Sequence, residues 1–80
     1  MKLKKGSVVK AEAGRDGGGF FVVTEVENDR CLIADGKSRK LSSPKRKNPK
    51  HLKITNSMID INDITDKRLR SLLKEIREAE

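Results

Sequence analysis

Residues 7–27 read SVVKAEAGRDGGGFFVVTEVE, two runs of strand-favouring residues on either side of a stretch with four glycines in six positions. The second run, residues 20–27, is rich in β-branched and aromatic residues, which favour strands. Glycine at this density is incompatible with a strand interior or a helix, and it predicts a turn with positive φ angles or a close backbone approach. The first run, residues 7–13, alternates between two faces, and one of them is uniformly apolar and small: Val9, Ala11 and Ala13. We therefore expect two paired strands joined by a glycine turn.

The chain beyond this pair predicts further short strands. Asn28-Asp29 is a tight-turn sequence, and Asp35-Gly36 is a strong hairpin signal. In order, we expect a turn at 28–29, a strand over 30–35, a short return strand over 39–42, a loop over 44–49 between two prolines, and a last strand over 51–55 with Leu52 and Ile54 facing inward. Short, closely spaced strands of this kind favour a small barrel or sandwich.

The end of the chain has helical periodicity. Apolar residues recur at i, i+3, i+4 and i+7, which predicts a helix over 67–79 with one apolar face: Leu69, Leu72, Leu73 and Ile76. Either Thr65 or Asp66 can cap it, and we interpret the evenly spaced Asp60, Asp63 and Asp66 as caps. We therefore predict a mainly β protein, in which residues 1–55 form a small barrel of about five strands. Residues 56–64 would be a linker, and a C-terminal helix over 65–80 would pack on the barrel.

Composition narrows the range of functions. Eighty residues make one small domain, which buries only about 60% of the surface of its unfolded chain and has no room for a deep cleft. The single cysteine, Cys31, cannot form an intramolecular disulfide, and with one histidine it cannot complete a zinc site. We expect Cys31, Phe20 and Phe21 to be core residues. No catalytic constellation is present, so we expect no enzyme activity, no cofactor, no metal and no small-molecule substrate.

The chain shows no segment suited to a membrane. Its longest apolar run is residues 20–23, and no apolar stretch reaches 18 residues. The basic start, residues 1–6, has no apolar segment behind it and does not resemble a signal peptide. We therefore expect a cytoplasmic protein without membrane partners.

Positive charge is concentrated in the first two thirds of the chain. The net charge is +7, and residues 1–53 hold 14 Lys and Arg against 6 Asp and Glu, whereas residues 54–80 hold 5 against 6. One stretch without any acidic residue contains eight cations: Lys37, Arg39, Lys40, Lys45, Arg46, Lys47, Lys50 and Lys53. Uncompensated charge at this density favours a nucleic-acid partner over a solvated face. His51 lies in the same stretch and could contact phosphate or stack.

Three consecutive stretches resemble the KOW motif: Gly6-Ser7-Val8-Val9, then Ala13-Gly14-Arg15-Asp16-Gly17-Gly18, then Phe21-Val22-Val23. Members of that family have a glycine, a hydrophobic strand, a turn of the form Gly-Arg-Asp-Lys-Gly and a second hydrophobic strand. Residues 1–55 resemble the small KOW-domain RNA-binding proteins of Gram-positive bacteria, which are similar to large-subunit ribosomal KOW proteins. Gly17 stands where lysine is usual, which leaves Arg15 as the cation of the turn.

The resemblance implies an SH3-like barrel that works on or near the ribosome. Ribosomal RNA would be the main partner, and ribosomal proteins are a second class of partner. The forked guanidinium of Arg15 is suited to phosphate. Gly14 and Gly18 could admit RNA backbone, or could simply make a tight turn. Two other functions stay open: a protein-interaction adaptor that binds a ribosomal or transcription partner through the C-terminal helix, and a DNA binder of the nucleoid type.

Overall fold

A computed structural model describes residues 3–12 and 17–79. Within these residues, five strands form one antiparallel sheet with the order β4-β3-β2-β1-β5, and an α-helix follows. The elements are β1 (Ser7–Ala11), β2 (Phe20–Val26), β3 (Cys31–Ala34), β4 (Lys45–Lys47), a 3₁₀-helix (Pro49–His51), β5 (Leu52–Met58) and α1 (Asp66–Ala79). The predicted mainly β fold with a C-terminal helix is confirmed. No described helix is both long enough and apolar enough to cross a membrane.

The two strands of the glycine-linked stretch lie at the centre of the sheet and are buried on both faces. Val8 pairs with Val22 on one face, and Val9 pairs with Phe21 on the other. All four side chains are buried. Because successive residues of a strand point to opposite faces, both faces of the sheet are covered. The alternation in residues 7–13 predicted only one buried face, since it could not show that another element covers Val8.

The molecule accordingly has two hydrophobic clusters. The first lies between the sheet and α1, and its buried members are Val8, Phe20, Val22, Ala34, Ile59, Leu69 and Leu73. The second lies on the opposite face of the sheet, and its buried members are Val9, Ala11, Phe21, Val23, Cys31, Ile33 and Leu52. Core positions for both phenylalanines and for Cys31 are thus confirmed. Burial also raises the pKa of the Cys31 thiol, which disfavours the nucleophilic thiolate form.

The sheet is curled, and the short connection between its two edge strands requires this. Residues 48–51 are all that separate Lys47, the end of β4, from Leu52, the start of β5. A flat five-stranded sheet would hold its edges about 19 Å apart, and this connection spans at most about 18 Å even when fully extended. Most of the connection is a compact 3₁₀-helix. Among the described residues the two edge strands do not pair with each other, so the predicted barrel is open.

Two irregularities help the central strands to bend. The pairing of β2 with β3 shifts register between Val23 and Glu25, and that of β1 with β5 shifts between Ser7 and Val9. At the second shift the Thr55 hydroxyl donates to the Val8 carbonyl oxygen at 2.8 Å. This side chain thereby satisfies a backbone acceptor that the regular ladder leaves open.

The predicted return strand over 39–42 is wrong, because these residues bond to a turn and to the helix. The backbone N–H groups of Asp35 and Gly36 donate to the Arg39 carbonyl oxygen at 2.9 and 3.0 Å, which closes a turn. The Leu41 N–H then donates to the Asp66 carboxylate at 2.8 Å, 25 residues away. No local pattern could have shown that the start of α1 takes this donor.

The predicted loop over 44–49 is wrong at Lys45–Lys47, which form β4. The strand pairs with β3, with Arg46 opposite Leu32. Three consecutive cations have no strand signature, but charged residues are common on the exposed edges of sheets, where they discourage association with other chains. The turn at 28–29 is confirmed by the hydrogen bond from the Glu27 N–H to the Arg30 carbonyl oxygen at 2.8 Å. The last strand is longer than expected and runs to Met58.

Helix α1 begins at Asp66 and is capped by the residue before it. The Thr65 hydroxyl accepts a hydrogen bond from the Arg68 N–H at 3.1 Å, which decides between the two candidate caps. The interpretation as caps is wrong for Asp60 and Asp66. Asp66 accepts the Leu41 N–H instead, and the Asp60 carboxylate accepts from the Asn62 N–H at 3.0 Å within the preceding loop.

We expect the Thr65→Ala substitution to lower the free energy of unfolding by about 1 kcal/mol, because the Arg68 N–H then has no side-chain acceptor. Urea unfolding followed by circular dichroism measures this change. Thr65→Ser keeps the hydroxyl and is the matched control, for which we expect little loss. An alanine variant as stable as the wild type would contradict the cap assignment.

Candidate nucleic-acid interface

The eight cations of residues 37–53 do not form one patch. The Arg46 guanidinium lies on the exposed side of the β4 edge, where its Nε donates to a carboxylate oxygen of Glu27 at 3.0 Å. Lys45 and Lys47 lie opposite Ile33 and Cys31, so their side chains start on the other face, and both are half-buried and have interaction partners. The expectation that this run is uncompensated is therefore wrong for Arg46.

The 3₁₀-helix places Lys50 and His51 beside the end of β1. The Asn48 side chain accepts from the Lys50 N–H at 3.0 Å and caps this short helix. The Glu12 N–H, just after β1, donates to the His51 carbonyl oxygen at 2.9 Å. Both side chains are exposed. They are accessible to a partner at the end of β1 that leads into the glycine turn.

Two lysines face each other directly across the pairing of β1 with β5. Lys10 and Lys53 are register partners, and both side chains are exposed. The Lys10 ammonium also lies 5.8 Å from the centre of the Phe20 ring, a cation–π distance. Like charges directly opposite each other destabilise a sheet. Because the repulsion between these two lysines lowers the stability of the folded protein and their charge attracts an anion, the pair is a candidate binding site.

A groove of about 350 Å³ lies next to this pair, between α1 and the turn after β3. Four cations line it: Lys37, Arg70, Lys74 and Arg77. The three helix residues are spaced at i, i+4 and i+7 and so share one flank of α1. Phe20 and Leu73 also line the groove, and because the Lys10 ammonium lies over the Phe20 ring, Lys10 adjoins the groove; Lys10 and Lys53 together line a separate, smaller concavity. We refer to these six side chains as the basic surface: Lys10, Lys37, Lys53, Arg70, Lys74 and Arg77.

The groove is held in shape by hydrogen bonds between the turn and the helix. The Arg70 guanidinium donates to the Gly36 carbonyl oxygen at 2.7 Å. The acidic residue that lines the groove, Asp35, accepts the backbone N–H groups of Lys37 and Arg39 at 2.9 and 2.8 Å. Its carboxylate therefore organises the turn that presents Lys37.

Residues 17–19, the described part of the glycine turn, lie at the same end of the sheet. Gly18 has a φ of 86°, as predicted for this turn, and its N–H donates to the Ala11 carbonyl oxygen at 2.7 Å. Among the described residues other than its chain neighbours, none has an atom within 4 Å of the position a Cβ would take at Gly18. Gly19 lines the groove. Gly14, Arg15 and Asp16 of the predicted site lie outside the described residues.

No protein-family model matches the chain, and no curated protein sequence is significantly similar to it. The resemblance to KOW domains thus stays a prediction from the motif residues.

The net charge of each segment did not predict that cations of α1 belong to the basic surface. Residues 54–80 have a slight acidic excess, so the anion-binding residues were predicted only in the first two thirds of the chain. A helix separates its residues by face, however, and neither Glu75 nor Glu78 lines the groove. The available signal was the i, i+4, i+7 spacing of Arg70, Lys74 and Arg77 beside the apolar stripe.

The basic surface is suited to binding phosphate by charge and hydrogen bonding. Lysine and arginine supply donors only, and arginine can bind an anion through two parallel N–H groups. Phe20 and Phe21 are only 8% and 3% exposed, so neither offers a stacking platform for bases. Among the described residues, no group of three or more His, Cys, Asp or Glu side chains could hold a metal ion.

Proposed function

We propose that this protein binds structured RNA, with ribosomal RNA as its main target, and that it has no enzymatic activity. The contacts would come from the basic surface, from Lys50 and His51, and from the glycine turn with Arg15. The observation that carries the proposal is the cross-strand pair of exposed lysines, Lys10 and Lys53, beside a groove lined by four further cations. A fold that keeps like charges in such proximity gains free energy when an anion binds between them.

The nature of the surface favours folded RNA as the ligand. Recognition by lysine and arginine reads the position of phosphates and not base identity, so specificity has to come from the shape of the nucleic acid. The buried phenylalanines argue against a single-stranded target, because such sites stack bases on exposed aromatic rings. The KOW resemblance favours ribosomal RNA over duplex DNA.

The adaptor alternative, in which the apolar face of α1 binds a protein, is less well supported. Leu69 is completely buried and Leu73 is 5% exposed, both against the sheet of the same chain. A partner could use these residues only if the helix left the sheet, which would expose Val8 and Val22. The packing of α1 in cis therefore disfavours this function.

We expect the wild type to bind ribosomal RNA more tightly than a structured non-ribosomal RNA or duplex DNA. For about five phosphate contacts, the plot of log K against log salt concentration has a slope of roughly −3.5 to −4.5. The Lys10→Ala/Lys53→Ala variant is expected to make that slope shallower by about 1.4 to 1.8, the contribution of two contacts. Fluorescence anisotropy across a series of salt concentrations measures both quantities. The variant should fold, because it removes a repulsion.

The matched control is Lys4→Ala/Lys5→Ala, which removes the same charge from two exposed lysines that form no salt bridge among the described residues and lie just before β1, at the opposite end of the sheet. Equal effects of the two double variants would mean that only net charge matters, and would contradict the assigned surface. Negligible RNA binding by the wild type at physiological salt would refute the function itself. Tighter binding to duplex DNA than to either RNA would support the nucleoid-type alternative.

A further inference from the structure

The groove beside α1 collects cations from parts of the sequence that are far apart. Lys37 comes from the turn after β3, and the other three come from a helix more than 30 residues later. Within the described residues, Lys37, Lys74 and Arg77 form no salt bridge, whereas exposed Arg30 and Arg46 each pair with an acidic neighbour. The charges of these three side chains are thus available to an anionic ligand.

The floor and the walls of the groove have different chemistry. Phe20 and Leu73 provide apolar surface, and the cations stand around it. The Arg70 guanidinium has five N–H donors, of which one is used on the Gly36 carbonyl oxygen, so its position is fixed while other donors remain. A fixed guanidinium loses less entropy when it binds an anion than a freely rotating side chain does.

The dimensions suit a nucleic-acid backbone. Arg70 and Arg77 are seven residues apart, which is about 10 Å along the helix axis. Measured along the axis of a DNA duplex, one strand presents on the order of three phosphates over that length. Lys10 adjoins the groove through its contact with Phe20, and Lys53 is its partner across β1 and β5.

We propose that this groove is a phosphate-backbone site for RNA and that α1, which lies outside the KOW-like part of the chain, is an RNA-contacting element. This inference rests on the proposed function and extends it to residues of the helix. A concave site lined by several cations matches a backbone strand that can enter it. A flat lipid surface cannot reach the groove floor.

Charge reversal on the two flanks of α1 tests this site with net charge held constant. Lys74→Glu places a carboxylate in the groove, within i±4 reach of Arg70 and i+3 reach of Arg77. Arg68→Glu makes the same change on the other flank, where Arg68 lines a separate groove with Asp60 and Asp63. Both variants have a net charge of +5 instead of the +7 of the wild type. Circular dichroism confirms that both are folded before binding is measured.

We expect Lys74→Glu to weaken binding to a ribosomal RNA hairpin roughly tenfold and to make the salt slope shallower by about 0.7 to 0.9 or more. Arg68→Glu should change the affinity by less than about twofold, the effect of net charge alone. In NMR titrations of the wild type with the hairpin, the backbone amides of Lys37, Arg70, Lys74 and Arg77 should shift more than that of Arg68.

Three results would overturn the site. If the wild type binds RNA and the two reversal variants lose equal affinity, the groove is not the RNA site, although the proposed function still holds. Shifts of the groove amides with inorganic pyrophosphate but not with the hairpin would assign the groove to a free phosphate ligand. If Lys74→Glu lost binding to vesicles with anionic headgroups but kept its affinity for RNA, the groove would be assigned to a membrane. A wild type that binds no RNA would refute the proposed function itself.

Discussion

Replacing Leu69 with alanine is expected to lower the free energy of unfolding by about 2–5 kcal/mol, the range for deleting a buried leucine side chain. Leu69 is fully buried between α1 and the sheet, in the same cluster as Val8, Phe20 and Val22. Proteins of this size have a total stability on the order of 4–12 kcal/mol. The substitution therefore removes a large part of the free energy of unfolding. It leaves a cavity under the helix, and the small core can close this cavity only in part.

Urea unfolding, followed by circular dichroism at 25 °C, measures this loss as a lower midpoint at an unchanged slope. Leu72→Ala is the matched control, since Leu72 belongs to the same helix and packs only partly buried against the same cluster. We expect it to cost clearly less. If Leu69→Ala proved no more destabilising than Leu72→Ala, the packing of α1 on the sheet would be contradicted, and the adaptor alternative would regain support.

Replacing Gly36 with alanine should also destabilise the protein, by about 2 kcal/mol or more, because two costs combine at this position. Its φ is 77°, in the left-handed region, where a residue with a side chain pays roughly 1–2 kcal/mol. A Cβ at this position would also collide with the backbone carbonyl group of Asp66, which is the first residue of α1. The turn or the helix has to move, and both hydrogen bonds between them, from Leu41 to Asp66 and from Arg70 to Gly36, would be strained.

Gly18→Ala separates these two costs. Gly18 also has a positive φ, 86°, but among the described residues other than its chain neighbours, none has an atom within 4 Å of the position of its missing Cβ. We expect this variant to lose only about 1 kcal/mol, the conformational part. Thermal and urea unfolding of both variants give the comparison. Equal losses would show that the contact between Gly36 and α1 contributes nothing to stability.

The stability of α1 on the sheet also bears on the proposed RNA site. Lys37 and the cations of α1 line one groove only while the turn after β3 stays bonded to the helix. An RNA that binds the groove stabilises the docked helix by mass action, and a substitution that displaces the helix weakens binding without removing a charge. Leu69→Ala and Gly36→Ala should therefore reduce RNA affinity as well as stability, which a purely electrostatic account of the surface would not predict.

Much of the fold follows from local patterns in the sequence. The two runs around the glycines predicted β1 and β2, because β-branched and aromatic residues favour a pleated, buried strand. The spacing of Leu69, Leu72, Leu73 and Ile76 predicted α1 to within one residue of its start. In both cases the deciding interaction, burial of a periodic apolar face, leaves its mark on neighbouring residues of the chain.

The errors arose where distant residues decide the structure. Lys45–Lys47 form a strand only because β3 offers them an open edge, and residues 39–42 are not a strand because Asp66 takes the Leu41 N–H. Neither partner is near in sequence, so no local pattern predicts the outcome.

The candidate site divides in the same way. A net charge of +7 and the glycine turn, which indicate a polyanionic partner, can be read from the sequence, since both are properties of composition and short motifs. The grouping of Lys37 with Arg70, Lys74 and Arg77, and the pairing of Arg46 with Glu27, depend on how the helix and the edge strand pack. Local chemistry therefore determined β1, β2, α1 and the net positive charge from which we infer a polyanionic partner. Which cations share a surface was decided by tertiary packing, because a surface is formed by residues that are close in space and not along the chain.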